Sequence, residues 1–252
     1  MTIPETAGFV LERSQGQPWL QLPHPGADIR FFLKGTLLEE TRGNAANSRV
    51  ALEPLLGPPL PLSAPKQVHG IAVLDSASTE NLLPSVVEAD GILLDTYGVE
   101  ASLRFADCAP VVVASSGSPA WVLMMHSGYK GTVQNIVEAG LEKVRARYGV
   151  AALHSARAWI GPCIGRANYP RDGDEWTLRG LETFHGQNIK GAGEKFFFDI
   201  AGELRLQLLE EGIDEERILL SGMDTFACPS LCYSYRGGER EKRMFLWAAL
   251  KA

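Results

Sequence analysis

Cysteine is scarce in this sequence. Cys108, Cys163, Cys228 and Cys232 are spread over 252 residues, too few and too scattered for the disulfide framework of a small secreted domain, so reduced thiols are expected. Long apolar runs are missing too. Nothing approaches the roughly 18 residues of a membrane span, and the N-terminal MTIPETAGFVLERSQGQPW lacks the basic start and apolar stretch of a secretory leader. Positive charge is in deficit, with 24 Lys and Arg against 30 Asp and Glu. The resulting net charge of −6 excludes broad affinity for nucleic acid or an anionic membrane, though not a local basic pocket. Neither G-x-x-x-x-G-K-[ST] nor G-x-G-x-x-G occurs, which removes the usual warrants for an ATPase or a dinucleotide enzyme. The expectation is a cytosolic chain that binds neither membrane nor nucleic acid.

An apolar content of 45% is enough to bury a substantial core, and one mixed domain over residues 1–252 is the economical organisation. No repeat or low-complexity tract appears, and the proline-rich GPPLPLSAP at 57–65 reads as a loop within that domain. Apolar, β-branched runs predict strands at 29–33, 67–74, 91–94, 101–105, 111–114, 121–125, 157–160, 218–220 and 244–248. The clearest helix starts after Gly131, carries Val133, Ile136, Val137, Gly140, Leu141, Val144 and Tyr148 on one face, and stops at Gly149. A second runs from the N-cap Asp199 to Gly212, and shorter ones are expected at 47–56 and 174–184. Strands in clusters joined by short connections fit an α+β class better than strict βαβ alternation.

Three segments carry chemistry. WVLMMHSGYKGT at 121–132 holds His126 at the end of a buried strand, followed by a glycine-punctuated turn, Lys130 and a helix start that would favour an anion. ASLRFADCAPVVVA at 101–114 places Asp107 and Cys108 in a polar break between strands, with Pro110 expected to interrupt strand pairing. Asp107 either orients a neighbouring ligand or caps the turn. His69, in PKQVHGIAVLD, is expected at the start of another strand. Two imidazoles and a thiolate suit zinc and leave its fourth position open, as in catalytic sites. Core packing of any one of the three is the plainer alternative, and sequence separation alone does not bring them together.

Other segments are less telling. Gly161-Pro162-Cys163-Ile164-Gly165 copies the G-x-S-x-G elbow superficially, but no helix pattern follows it, so a glycine-lined loop near the site is expected. Cys228 and Cys232 have no histidine pair beside them, and His24, His154 and His185 are read as surface residues. Tyr233, Tyr235 and Arg236 precede a Gly-Gly turn, either as a substrate edge or as a solvated hairpin.

Taken together, QVHG (67–70), ADG (89–91), ADCAPVVV (106–113), HSGYKGT (126–132), IGPCIG (160–165), FFDIAGELRLQLLEEGI (197–213) and YSYRGG (233–238) resemble, in order, the motifs of the YfiH or laccase-domain family. The resemblance covers roughly residues 65–250. It implies a four-layer α/β/β/α sandwich and a zinc held by His69, Cys108 and His126, which would also be the catalytic set. It further implies purine nucleoside phosphorylase chemistry with phosphate, with adenosine deamination and methylthioadenosine phosphorolysis beside it. Family members have also been labelled polyphenol oxidases and peptidoglycan editing factors. Lys130, Arg236, Asp107 and Arg49 are the substrate contacts expected, Arg49 because Asn47-Ser48-Arg49 matches an Asn-Arg element. Tyr129 and Lys130 replace the usual Trp and Arg, exchanging a bidentate fork for a point charge. A metal-free Cys108–His126 hydrolase is the alternative. Copper-dependent phenol oxidation ranks lower, because five histidines are few for several coupled coppers.

Overall fold

The computed structural model describes residues 8–115, 117 and 119–251, so the outermost residues of the expected 1–252 domain lie outside the described residues. The first stretch of chain holds β1 (Val10–Ser14), β2 (Gln17–Leu22), β3 (Ala27–Phe32), α1 (Ala45–Ala51), α2 (Glu53–Leu56), β4 (Leu62–Ser63), β5 (Val73–Asp75) and β6 (Gly91–Leu94). The middle holds β7 (Glu100–Phe105), β8 (Ala109–Ala114), β9 (Val122–Ser127), α3 (Tyr129–Val133), α4 (Ile136–Tyr148) and β10 (Arg157–Ile160). The last holds β11 (Pro170–Arg171), α5 (Glu175–Thr183), β12 (Ile189–Ala192), β13 (Lys195–Phe198), α6 (Ile200–Glu210), β14 (Ile218–Leu220) and β15 (Met244–Leu250).

Two six-stranded sheets stack face to face, in the orders β1-β2-β3-β15-β7-β4 and β14-β10-β8-β9-β6-β5, with a small β11-β13-β12 sheet beside them. β15 runs antiparallel between β3 and β7, setting Leu246 opposite both Phe31 and Leu103. Strand alternation then sends Phe31, Leu103, Phe105 and Leu246 into one core with Ile92, Val112 and Met124 of the second sheet. Each such side chain stabilises the fold by about 1.5–3 kcal/mol on burial. The outer face of the first sheet meets α1 and α2, where Arg49 pairs with Glu100 of β7 and Arg30 of β3 donates to the Leu55 carbonyl. The outer face of the second sheet packs Leu93, Val111, Val113, Leu123 and Met125 against Ile136, Leu141 and Val144 of α4 and Leu204 and Leu208 of α6. These are the four layers of the α/β/β/α sandwich, in an α+β arrangement. No described helix is long and apolar enough to cross a membrane.

Local chemistry sets the element boundaries. Asp174 accepts from Thr177 N at 2.7 Å to start α5, and Asp199 accepts from Gly202 N at 3.0 Å to start α6. Gly140 lets α4 lie against β9, since a Cβ there would meet Met125 Sδ at 2.7 Å. The single helix expected from Gly131 to Tyr148 is two: Asn135 takes a left-handed conformation (φ 59°) and caps α4 by accepting from Glu138 N at 3.2 Å. That leaves α3 with five residues, too short a dipole to carry the expected anion attraction by itself.

The strand expected over 67–74 shrinks to β5, because the Asp90 carboxylate takes the N–H groups of Val68, His69 and Gly70 away from any ladder. Pro110 does not interrupt pairing. It is the second residue of β8, opposite His126 in β9, so the missing N–H falls at the sheet end, while its carbonyl accepts from Gly161 N at 2.9 Å. The N-terminal hairpin of β1 and β2 was not foreseen. Its signal is Gln15-Gly16, both at positive φ (50° and 72°), a two-residue turn whose twist matches paired strands.

Candidate metal centre

Cys108 immediately precedes β8 and His126 is the next-to-last residue of β9, and the pairing of Ala109 with Ser127 brings these two to one end of the second sheet. His69 comes from the 66–72 loop instead of a strand end. That loop is clamped to β7 by Gln67, which donates to the Arg104 carbonyl and accepts from Arg104 N, both at 2.8 Å. His69 itself sits at φ 61°, a conformation that costs a non-glycine residue on the order of 1 kcal/mol. Asp90 holds it there, accepting from Val68 N at 3.1 Å, His69 N at 3.0 Å and Gly70 N at 2.7 Å.

The candidate ligand atoms of His69, Cys108 and His126 all lie within 4.8 Å of one another. Gly128 admits the cluster, because a Cβ there would stand 2.8 Å from Cys108 Sγ and 3.0 Å from His69 Cδ2. The same Asp90 carboxylate lies 2.8 Å from His126 Nδ1, which leaves the far ring nitrogen for the cluster. Burial opposes the Asp90 charge, yet the His126 ring and the N–H groups of Gly70 and Val68 hold its carboxyl below the usual range. Burial lowers His126 as well, against the pull of Asp90, favouring the neutral imidazole that ligates metals. Burial and the nearby Asp107 and Asp90 charges push the Cys108 thiol up to about 12, so a thiolate here calls for a cation beside it. A two-nitrogen, one-sulfur donor set with a carboxylate behind one imidazole fits zinc.

The cluster lies in the wall of a cavity of about 930 Å³. Eight Lys and Arg side chains line that cavity against two carboxylates, Asp107 and Glu241, in a chain whose net charge is −6. Lys130 is exposed, with Nζ 4.8 Å from the centre of the Trp176 ring. Tyr129 beside it is buried against Phe184 and Phe198 and donates to the Trp176 carbonyl at 3.2 Å. The guanidinium of Arg236 lies 4.8 Å over the Tyr169 ring, and its main-chain N–H donates to Asp107 at 2.7 Å. Asp107, at φ 81°, also accepts from Thr225 Oγ1 at 2.6 Å. It therefore ties the Cys108 turn to the C-terminal loop, and its carboxylate is hydrogen-bonded to neither histidine of the cluster. Tyr235 and Arg236 line the cavity.

Two expectations are corrected. Arg49 is 2% exposed and forms a bidentate pair with Glu100, at 2.5 and 2.8 Å, under α1; it is a core residue and not a substrate contact. His24 is buried against the Ser115 carbonyl and not on the surface, whereas His154 is exposed and His185 half-exposed. Cys163 lies in the loop beside the site, where Ile164 N donates to the Asp107 carbonyl at 2.9 Å, and a short 3-10 turn, not a helix, follows it.

Residues that sequence reasoning passed over are Asp90, Arg104, Tyr169 and Arg171, while Arg240 and Arg243, which the solvated-hairpin reading balances against Glu239 and Glu241, line the cavity without an ion pair to a described residue. Asp90 had a signal, the ADG motif, with no role attached to it. Arg104 is held below its ordinary range, at about 10, first by burial and then by Arg243, and remains cationic at neutral pH.

Known proteins share this architecture and sequence. The solved YfiH protein of Bacillus licheniformis superposes with a TM-score of 0.82 at 20% identity, covering 97% of this chain and all of that one. YlmD of Geobacillus stearothermophilus superposes with a TM-score of 0.82 at 23% identity over the same shares. A Rickettsia conorii protein named purine nucleoside phosphorylase is 27% identical over 169 residues, 65% of each chain. A Xylella fastidiosa protein of the same name is 26% identical over 202 residues, 78% of this chain and 75% of its own. The family model described as multi-copper polyphenol oxidoreductase laccase matches residues 37–251, and the chain belongs to that family, the YfiH family.

Proposed function

We propose that this chain is a zinc-dependent, cytosolic purine nucleoside phosphorylase, with adenosine deamination and methylthioadenosine phosphorolysis within reach of the same site. The observation that carries this is the convergence of His69, Cys108 and His126 in the wall of a cavity with an excess of cations. The names of the Rickettsia and Xylella relatives support the same substrate class. Zinc, when bound by these three side chains, supplies a Lewis acid and a water acidified toward neutrality.

The protein's own groups do the rest. Lys130, Arg104 and Arg236 present fixed positive charge to inorganic phosphate, offsetting its repulsion from an electron-rich ribose oxygen and purine. A phosphate oxygen bonds to ribose C1′ as the C1′–N9 bond breaks, and that electron pair leaves with the base. Trp176 and Tyr169 hold Lys130 and Arg236 in place, so little ordering is needed when phosphate arrives.

Zinc-loaded protein given inosine and phosphate is expected to release hypoxanthine and ribose 1-phosphate, and no turnover of any purine nucleoside would reject the proposal. The metal-free Cys108–His126 alternative requires a depressed thiol, whereas burial raises this one. Activity that survives exhaustive chelation but not thiol alkylation would favour it. Copper oxidation of phenols draws less support, since His69 and His126 are the histidines that line the cavity.

A further inference from the structure

Three of the eight cations around the cavity have a carboxylate of their own. Lys66 meets Glu88 at 2.8 Å, Arg171 meets Asp174 at 3.0 Å and Arg42 meets Glu241 at 3.8 Å. Arg104, Lys130, Arg236, Arg240 and Arg243 form no ion pair with any described residue. Five cations without an ion pair of their own, in one hollow of an acidic chain, call for an anion of more than one charge, although Asp90 offsets part of the Arg104 charge and Asp107 also lines the hollow. One phosphate group brings about −1.5 to −2 and neutralises fewer than half of them.

The free cations also fall into groups. Lys130 and Arg236 are held against the Trp176 and Tyr169 rings. Arg240 and Arg243 instead flank the Tyr235 ring, at 5.6 and 6.0 Å from its centre, and that ring is 48% exposed. Arg243 is braced further by donating to the main-chain carbonyls of Arg240 and Lys242, both at 2.8 Å. Two guanidiniums within about 6 Å of one aromatic ring, one of them braced and neither ion-paired to a described residue, form an anion contact. A cavity of about 930 Å³ has room for a nucleoside together with a second charged group.

We propose that Arg240 and Arg243 form a second anion subsite about Tyr235, and that the preferred ligand of the cavity is a phosphorylated nucleoside whose ester phosphate lies on that pair. This rests on the nucleoside reading given above. The test titrates inosine, inosine 5′-phosphate and inorganic pyrophosphate into the zinc-loaded full chain by calorimetry, at low and high salt. The 5′-phosphate is expected to bind at least about tenfold more tightly than inosine at low salt, with the advantage shrinking as salt screens the pair. Arg240→Gln combined with Arg243→Gln is expected to bring the two affinities within about twofold.

The Arg240 side chain makes no hydrogen bond to a described residue, so Arg240→Gln alone keeps the test open if the double variant folds poorly; it should cut the advantage about threefold. Equal affinity for inosine and its 5′-phosphate overturns the proposal. So does pyrophosphate binding as tightly as the ester, because the cations would then serve a bare anion. Release of purine base from purine nucleosides is followed in parallel samples of the zinc-loaded chain given inorganic phosphate. Its absence together with a clear 5′-phosphate preference removes the phosphorylase reading and supports this subsite, and its presence without that preference removes the subsite alone.

Discussion

His126 Nδ1 lies 2.8 Å from Asp90 Oδ1, and the same two residues are joined again through the main chain, His126 N donating to Asp90 O at 2.7 Å. The double link fixes both the ring plane of His126 and the start of β6. Asp90 also gathers the N–H groups of residues 68–70, so a single fully buried carboxylate orients two of the three candidate ligands. Asp90→Asn offers one acceptor oxygen where two serve four donors. We expect a loss of about 10–100-fold in zinc affinity and about 2–3 kcal/mol of stability, read by chelator competition and by urea unfolding. Unchanged zinc affinity in a folded variant would exclude the orienting role.

Zinc itself should stabilise the protein. At 100 times its dissociation constant a ligand bound only by the folded state adds about 2.7 kcal/mol, so the melting temperature of the wild type should rise with added zinc. Cys108→Ser, which removes the sulfur from the candidate donor set, should flatten that rise. A rise of equal size in the variant would show that the ion binds elsewhere.

Gly128→Ala tests the space around the cluster. The new methyl would stand 2.8 Å from Cys108 Sγ and 3.0 Å from His69 Cδ2, distances that one of the two side chains must yield. The expected result is a stability loss of about 1–3 kcal/mol, accompanied by weaker zinc binding and slower nucleoside turnover. Wild-type zinc affinity in Gly128→Ala would place the ion away from these atoms.

Arg49 should matter to folding and not to substrate. Arg49→Ala strands the buried Glu100 carboxylate, at a cost of about 3–5 kcal/mol. The folded fraction should keep the wild-type KM for phosphate and nucleoside. A raised KM with unchanged stability would return Arg49 to the substrate site.

His185 supplies a pH dependence remote from the cavity. Its ring meets Glu203 at 2.9 Å and Glu210 at 3.1 Å, and the Glu203 hydrogen bond leads in raising its pKa above the ordinary 6.5. A raised folded-state pKa gives stability that is complete below the unfolded value and fades as pH rises through the folded one. The stability difference between wild type and His185→Gln should therefore be larger at pH 5.5 than at pH 8.5. An equal difference at both would assign no linked proton to this residue.

Much of the fold was readable locally. Asp174 and Asp199 announce α5 and α6 because a cap is made within three residues, and β6, β10 and β14 are short apolar runs with clear ends. The break at Asn135 and the loop at 67–72 were not readable in the same way. Each is decided by a hydrogen bond that competes with regular structure, and for the loop the competing partner, Asp90, lies some twenty residues along the chain.

The identities of His69, Cys108 and His126, with the motifs around them, are properties of the sequence, and so is the alternation that turns apolar faces into two cores. Only the tertiary structure decided that Asp90 and not Asp107 backs an imidazole, that Arg49 belongs to the core, and that five cations line one cavity with no ion pair to a described residue. The reason is range. Hydrophobic periodicity and caps act over a few residues, whereas charge pairing depends on which strands the sheet order makes neighbours.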